Sequence, residues 1–254
     1  MNKNKFNINE EKREDIIVGR NAVSEALKSG RTIDVLFVQN GQKTGSISVI
    51  IKKAKEQRIN IKEVDSRKLD FMCQGAVHQG VVATAAVKEY AQLEDIFELA
   101  KERNEDPFII ICDELTDPQN LGAILRTADC SAAHGVIIPK RRSVGLSYAV
   151  GKASAGAVEY MPVVRVNNLA STIDTLKDMG VWIYSADMDG QDYTKVDFKG
   201  SVGLVIGSEG QGIQKLILDK SDFIVSLPMK GKINSLNASV ACGILCYEVL
   251  RQRN

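Results

Sequence analysis

Val205-Ile-Gly-Ser-Glu-Gly-Gln-Gly212 is the stretch that decides the fold. It begins inside an apolar run, Val202 to Ile206, that reads as a strand buried on both faces, and it leaves that strand in a turn with glycine at 207, 210 and 212. Strands buried on both faces belong to parallel sheets covered by helices, and such sheets bind ligands where loops leave their carboxyl ends. Glycines let backbone approach a ligand closely. The turn is not a phosphate-cradling loop, because no Gly-Lys-Ser/Thr follows it, and the chain lacks the GxGxG turn after a first strand that marks Rossmann-type nucleotide binders. Taken alone it is either a tight loop or a ligand loop.

Outward from this turn, β and α patterns alternate. Phe108 to Cys112 reads as a strand, Gln119 to Ser131 as a helix and Val136 to Ile138 as a strand. Leu169 to Met179 is a helix, Trp182 to Ser185 a strand and Ser235 to Arg251 a long final helix capped by Ser235. In front, Asn21 to Ser29 is a short helix closed by Gly30, and Ile33 to Val38 is a strand. Ser46 to Arg58 is a helix, Ile59 to Val64 a strand, a short helix surrounds Leu69, and Val81 to Val87 is a strand. The expected fold is therefore α/β: a C-terminal, mainly parallel sheet with helices on both faces, preceded by a small α/β domain. The expected divisions are a frayed tail over 1–14, a first domain over 15–88, a linker over 89–106 that carries Leu93, Ile96, Phe97 and Ala100 at helical spacing and ends in the charged stretch 101–106, and a second domain over 107–254.

Composition agrees with a soluble globular chain. It has 254 residues, 44% apolar and 26% charged, which is enough for one large or two modest cores. Residues 1–90 hold 16 Lys and Arg against 11 Asp and Glu, and the rest hold 17 against 21, so a basic front precedes a mildly acidic back. That split suits a polyanion-gripping module joined to a catalytic one, although one so small also arises by chance. The five cysteines show no CxxC pair and no His at zinc-ligand spacing, so buried thiols in a reducing compartment are expected, with no metal. The first 14 residues are polar, and the longest apolar run, Val240 to Tyr247, is far short of the ~20 residues that span a bilayer. A cytoplasmic protein without a membrane segment is expected.

Three segments carry chemistry. In Asp117-Pro-Gln-Asn-Leu-Gly-Ala-Ile-Leu-Arg-Thr-Ala128, proline forces a turn entry, Asn120 can bond backbone at the helix start, and Gly122 allows a close neighbour. Arg126 sits among apolar and small residues and calls for an anion: a phosphate matched to its planar fork, or a structural carboxylate. The glycine turn is the second segment. The third is Leu227-Pro-Met-Lys-Gly-Lys-Ile-Asn-Ser-Leu-Asn-Ala-Ser-Val-Ala241. Here Asn237 either projects into a ligand site or bonds its own helix start. Behind it Leu236, Val240, Gly243, Tyr247 and Leu250 form an apolar stripe. Lys140-Arg-Arg142 is a possible phosphate grip or a solvated loop.

Together and in this order, the segments resemble the SpoU (TrmH) family of RNA ribose methyltransferases in the SPOUT class. The matching patterns are Asn120, Gly122 and Arg126; Gly-x-Glu-Gly-x-Gly over 207–212; and Pro-Met-x-Gly…Ser-Leu-Asn over 228–237. Gly19-Arg-Asn-Ala-Val23 and His78-Gln-Gly-Val-Val-Ala83 look like the ends of the family's substrate-binding domain, similar in fold to ribosomal protein L30e, and Lys152-Ala-Ser-Ala-Gly-Ala-Val158 is also familial. Within the family the chain most resembles RlmB-type 23S ribosomal RNA guanosine-2′-O-methyltransferases. The resemblance implies S-adenosylmethionine as cofactor, bent in a C-terminal trefoil knot and contacted by backbone at Gly207, Leu227 and Leu236. It implies a reaction site of Arg126, Asn120, Glu209, Ser235 and Asn237, and a homodimer in which the twin subunit could lend the arginine. A guanidinium holds its proton at neutral pH, so Arg126 is expected to orient phosphate and ribose and to stabilise alkoxide, with proton acceptance open. The implied substrate is ribosomal RNA. The alternatives are a transfer-RNA enzyme, a non-catalytic ribosome-assembly protein, or a methylase that protects the ribosome from an antibiotic.

Overall fold

The computed structural model describes residues 16–28, 31–41, 45–73, 76–208, 210–233 and 235–254. The expected tail and the expected helix stop at Gly30 lie outside the described residues. The chain divides between Val87 and Lys88 into two compact units.

The first unit runs β1 (Ile16–Val18), α1 (Arg20–Lys28), β2 (Ile33–Gln39), α2 (Ser46–Glu56), β3 (Asn60–Val64), α3 (Ser66–Cys73) and β4 (Val81–Ala85). Its sheet has the order β1-β4-β2-β3, with β2 and β3 parallel and β4 antiparallel to both of its neighbours. Alternation along β4 sorts the layers. Val81, Ala83 and Ala85 face a core with Val23 and Leu27 of α1 and Ile47 and Ile50 of α2, while Val82 faces Leu69 and Cys73 of α3. The unit therefore has three layers, with α1 and α2 on one face of the sheet and α3 on the other. Strand β1, three residues long, is too short to show a period, and it forms because β4 offers it a partner.

The second unit runs α4 (Leu93–Arg103), β5 (Phe108–Cys112), α5 (Pro118–Cys130), β6 (Gly135–Pro139), α6 (Tyr148–Ala153), β7 (Val163–Val166), α7 (Leu169–Asp178), β8 (Trp182–Asp192), β9 (Val202–Ile206), α8 (Lys215–Lys220), β10 (Phe223–Ser226) and α9 (Ala238–Arg253). Its six strands are all parallel, in the order β10-β8-β9-β5-β6-β7, with β5 and β9 buried along their whole length. On one face Ile109, Ile111, Ile183 and Val205 pack with Ile96 of α4, Ile173 and Leu176 of α7 and Ile217 of α8. Helices α5 and α9 pack together across the other face.

Three expectations differ from the structure. Segment 89–106 is not a linker: Ile96 and Ala100 of α4 are buried, and Ile96 fills space left at Gly135, where a Cβ would lie 2.5 Å from its side chain. The charged stretch 101–106 marks the exposed end of that helix, not a domain boundary. The last helix is capped by Asn237 rather than Ser235, since the Asn237 carboxamide oxygen accepts from the Ser239 and Val240 amides. Its expected apolar stripe also points outward. Val240, Ile244 and Tyr247 are exposed, and Cys242, Leu245, Cys246 and Val249 face the sheet. Cys130 is exposed, while Cys73, Cys112, Cys242 and Cys246 are buried and all five are free thiols. Burial pushes the Cys112 thiol up to about 12, so it stays protonated and inert. Among the described residues no helix is long and apolar enough to cross a membrane, and no group of His, Cys, Asp and Glu is placed to hold a metal.

Candidate active site

The site lies at the carboxyl ends of β5, β8 and β9, where a parallel sheet is expected to bind. Ser208 and Gly212 exchange backbone hydrogen bonds of 3.1 and 2.9 Å, folding the glycine turn into a closed loop. Gly207 is the residue that permits it: a Cβ there would overlap the Gly212 carbonyl and come within 2.5 Å of the Ile213 nitrogen. The loop's far end is pinned by Asp113, just past β5. Its carboxylate accepts from the Gln214 backbone amide at 2.7 Å and the Gln214 carboxamide at 2.9 Å, and its own amide donates to Ile206 at 2.8 Å. Burial raises the Asp113 carboxyl above the ordinary carboxylate range, and the two bonds from Gln214 offset only part of that. Sequence reasoning missed Asp113. Its one signal was an acid placed directly after a wholly apolar strand.

Between this loop, the end of β8 and the segment before α9 lies a cavity of about 530 Å³. That is within the size range of sites for small-molecule ligands. Gly207, Ser208 and Gly210 offer backbone, Leu227, Met229 and Leu236 offer apolar surface, and Asp187 and Asp189 offer carboxylates. Such a lining suits a group with an apolar body, hydrogen-bonding edges and positive charge, which fits S-adenosylmethionine. A second cavity, of about 540 Å³, includes Asp117, Asn120, Glu114 and Arg142 in its lining. Both cavities are walled by Ser208, Gly210 and Gln211, so they meet across the glycine loop.

The expected residues fall into three groups. Gly207, Leu227, Leu236 and Ser235 line the first cavity. Asn120 is buried at the wall of the second, and the Asn237 amide nitrogen donates to its side-chain oxygen at 2.9 Å. That bond joins the first and third sequence segments, 117 residues apart. The local reading of Asn237 describes what it does in part: it caps α9, and its amide nitrogen also locks Asn120, while it lines neither cavity. Arg126 forms the third group. Its side chain is exposed, lines neither cavity and has no hydrogen-bond or ion-pair partner among the described residues, so the structural salt bridge is absent. Glu209 lies outside the described residues. Gly122 does allow a close neighbour: a Cβ would lie 2.9 Å from Ala153 and Ser154 backbone atoms, so α5 rests directly on the familial 152–158 segment. In the basic loop, Arg142 pairs with Glu114 at 2.9 Å.

This all-parallel sheet, with its cavity walled by the glycine loop, is similar in fold to SpoU methyltransferases of known structure, which belong to the SPOUT class. The chain belongs to the SpoU rRNA methylase family, whose pattern matches residues 107–247, and residues 16–91 match the RNA 2′-O ribose methyltransferase substrate-binding domain. YacO of Bacillus subtilis (strain 168), named as a member of the TrmH family of tRNA/rRNA methyltransferases, is 50% identical over 241 residues, 94% of this chain and 96% of its own. Among solved structures, the SpoU methyltransferase AviRb from Streptomyces viridochromogenes, in complex with S-adenosylmethionine, superposes with a TM-score of 0.60 at 24% identity, covering 94% of this chain and 90% of its own. The S-adenosylmethionine-bound rRNA methyltransferase from Sinorhizobium meliloti gives 0.57 at 25% identity, covering 93% and 86%.

Proposed function

We propose that this protein methylates a ribose 2′-hydroxyl of RNA, with a guanosine of 23S ribosomal RNA as the target and S-adenosylmethionine as the donor. The observation that carries the reading is the meeting of all three sequence segments in one region: the glycine loop with Leu227, Ser235 and Leu236 walls one cavity, and the Asn237–Asn120 bond ties the third segment to the first beside the adjoining one. A ribosomal target is supported by the likeness to the S. meliloti rRNA enzyme, which extends through both units of this chain.

Gly207, Leu227 and Leu236 hold the cofactor through their backbone, and Arg126, Asn120, Glu209, Ser235 and Asn237 form the reaction site. The bound cofactor supplies a methyl group already activated on sulfonium. What remains for the protein is alignment, worth on the order of 7–11 kcal/mol when reactants are held in line, and stabilisation of charge on the attacking oxygen. The O–CH3 bond would form as the S–CH3 bond breaks, the ribose hydroxyl gives up its proton, and the products are the methyl ether, the thioether and a proton.

Arg126 lines neither of the two cavities described at the site. A homodimer formed over the exposed apolar residues Val240, Ile244 and Tyr247 of α9 would cover that face and carry the partner's Arg126 to the site. The protein then works in the cytoplasm as a dimer, with Lys140, Arg141 and Arg142 contributing to the phosphate grip.

The test is to map 2′-O-methyl sites in total RNA with and without the protein. One new site in 23S RNA is expected, and Arg126→Ala should abolish it while cofactor uptake by calorimetry is retained. A site in transfer RNA would overturn the ribosomal assignment, and failure to take up cofactor with RNA present would overturn the whole reading.

A further inference from the structure

The first unit holds a cavity of its own, of about 590 Å³, lined by Arg20, Asn21, Gln39, Ser46, His78, Gln79 and Gly80. Three parts of the chain converge on it. Arg20 is the hub: its guanidinium donates to the Gln79 carbonyl at 2.9 Å and to the Ser46 hydroxyl at 3.3 Å, and its backbone amide donates to the Gln79 side-chain oxygen at 3.2 Å. These bonds hold Gln79 at a φ of 51°, a left-handed conformation that side chains seldom adopt. His78 is fixed as well. Its Nδ1 accepts from the Gly80 amide at 2.9 Å, which makes Nε2 the donor to Asp70 at 3.1 Å.

What the cavity presents after these bonds are made is a set of unspent amides. Among the described residues the side chains of Asn21 and Gln39 have no hydrogen-bond partner, and neither has the amide nitrogen of Gln79. Carboxamides offer a donor and an acceptor side by side, the arrangement that reads the edge of a nucleobase. The one cation in the lining, Arg20, is already engaged with backbone, so the cavity is not built as a phosphate clamp. Next along α3 from Asp70 stands Phe71, 79% exposed, with the Lys68 ammonium 6.0 Å from its ring centroid and Arg67 on the same helix. An exposed ring flanked by cations is a platform on which an unpaired base can stack.

We infer that this cavity takes an unpaired nucleobase of the RNA substrate, read by Asn21, Gln39 and Gln79, with a neighbouring base stacked on Phe71. The inference rests on the reading of the protein as an RNA methyltransferase and adds that its first unit recognises single-stranded RNA. A base still within a duplex turns its edge to its pairing partner and its faces to its neighbours, so it can neither enter the cavity nor cover the ring.

Fluorescence anisotropy with the full-length protein tests this, using a short labelled single-stranded RNA and a blunt RNA duplex of the same length. The single strand should bind more tightly. Phe71→Ala should weaken it by about tenfold, the scale of one lost base–aromatic stack, and the double variant Asn21→Ala with Gln39→Ala should weaken it further and flatten differences among oligonucleotides of different base composition. Val49→Ala, an exposed change on α2, is the control and should leave binding unaltered. Equal affinity for duplex, or parental affinity in both variants, overturns the inference. Cofactor uptake is measured on the same samples: if it is intact while the RNA variants behave as parent, this inference fails and the methyltransferase reading stands. If uptake itself is absent, the methyltransferase reading fails.

Discussion

The two ends of the parallel sheet are built from opposite materials. At the carboxyl end the loop is shaped by glycine, backbone and carboxamide, with the Asp113 carboxylate as its one charged pin: the closed loop at Ser208–Gly212, the bare Gly207 and the Asn237–Asn120 bond. At the amino end it uses charge. The Arg253 guanidinium donates to the carbonyls of Asp106, Pro107 and Gly200 and lies 5.4 Å from the Phe108 ring centroid. His134, wholly buried, accepts the Phe108 amide at 2.9 Å and faces Glu105 at 3.1 Å. Helix α9 runs between them with Asn237 as its first cap and Arg253 in its last turn, so one element of about 24 Å ties the two ends together. The contrast separates tasks: glycine and backbone leave room at the end that admits a ligand, and partly buried charged clamps hold the other end.

The contrast breaks most visibly at Gly207. Gly207→Ala puts a methyl group into the Gly212 carbonyl, and overpacking of that kind costs about 1–3 kcal/mol. If the loop opens to relieve it, cofactor affinity should fall by roughly 10- to 100-fold, measured by calorimetry. Gly210→Ala, in the same loop, meets nothing within 4 Å and should leave the melting temperature unchanged. Were both variants to bind cofactor as the parent does, the loop would not be the cofactor wall.

The amino end should respond to acid instead. Burial, reinforced by Arg103, pulls the His134 imidazole below its ordinary range despite Glu105. The unfolded chain therefore takes up this proton more readily than the folded one. His134 stabilises the fold fully above about pH 6.5, and the contribution is lost as pH falls towards its depressed folded value, by up to about 1.4 kcal/mol per pH unit. Urea unfolding at pH 7.5 and 5.5 should show the loss, and His134→Gln should flatten it. An acid slope undiminished in that variant would assign the sensitivity to other groups.

How much of this was legible depended on what kind of signal each part leaves. Strands β5 and β9 were readable because five consecutive apolar residues bounded by turns have few other uses. The short β7, α8 and β10 of four to six residues went unread, since their identity comes from neighbouring strands rather than from any internal period. Gly207, Leu227 and Leu236 were legible as a motif, while Asp113 was not, because a single acid after a strand shows no sign of the Gln214 it meets 101 residues later. Helix α9 misled in a more instructive way. Its apolar residues occur on both sides, so periodicity alone chose the outward stripe of Val240 and Tyr247 over the Cys242, Leu245, Cys246 and Val249 face that the sheet covers.

The smallest expected effect lies at the cap where α9 meets the ligand end. Asn237 has two jobs, accepting from the Ser239 and Val240 amides and donating to Asn120. Asn237→Ser separates them, because serine caps helices about as well as asparagine but is too short to reach Asn120. Stability should fall by only about 0.5–1.5 kcal/mol, the net value of one hydrogen bond, read as a small drop in melting temperature. If Asn120 is held in place for the reaction by this bond, kcat should fall by more than the stability change accounts for, at unchanged cofactor affinity. A kcat that stays at the parental value would reduce the bond to a structural clasp, and the ligand end would then be held in the same way as the amino end, by contacts that only support.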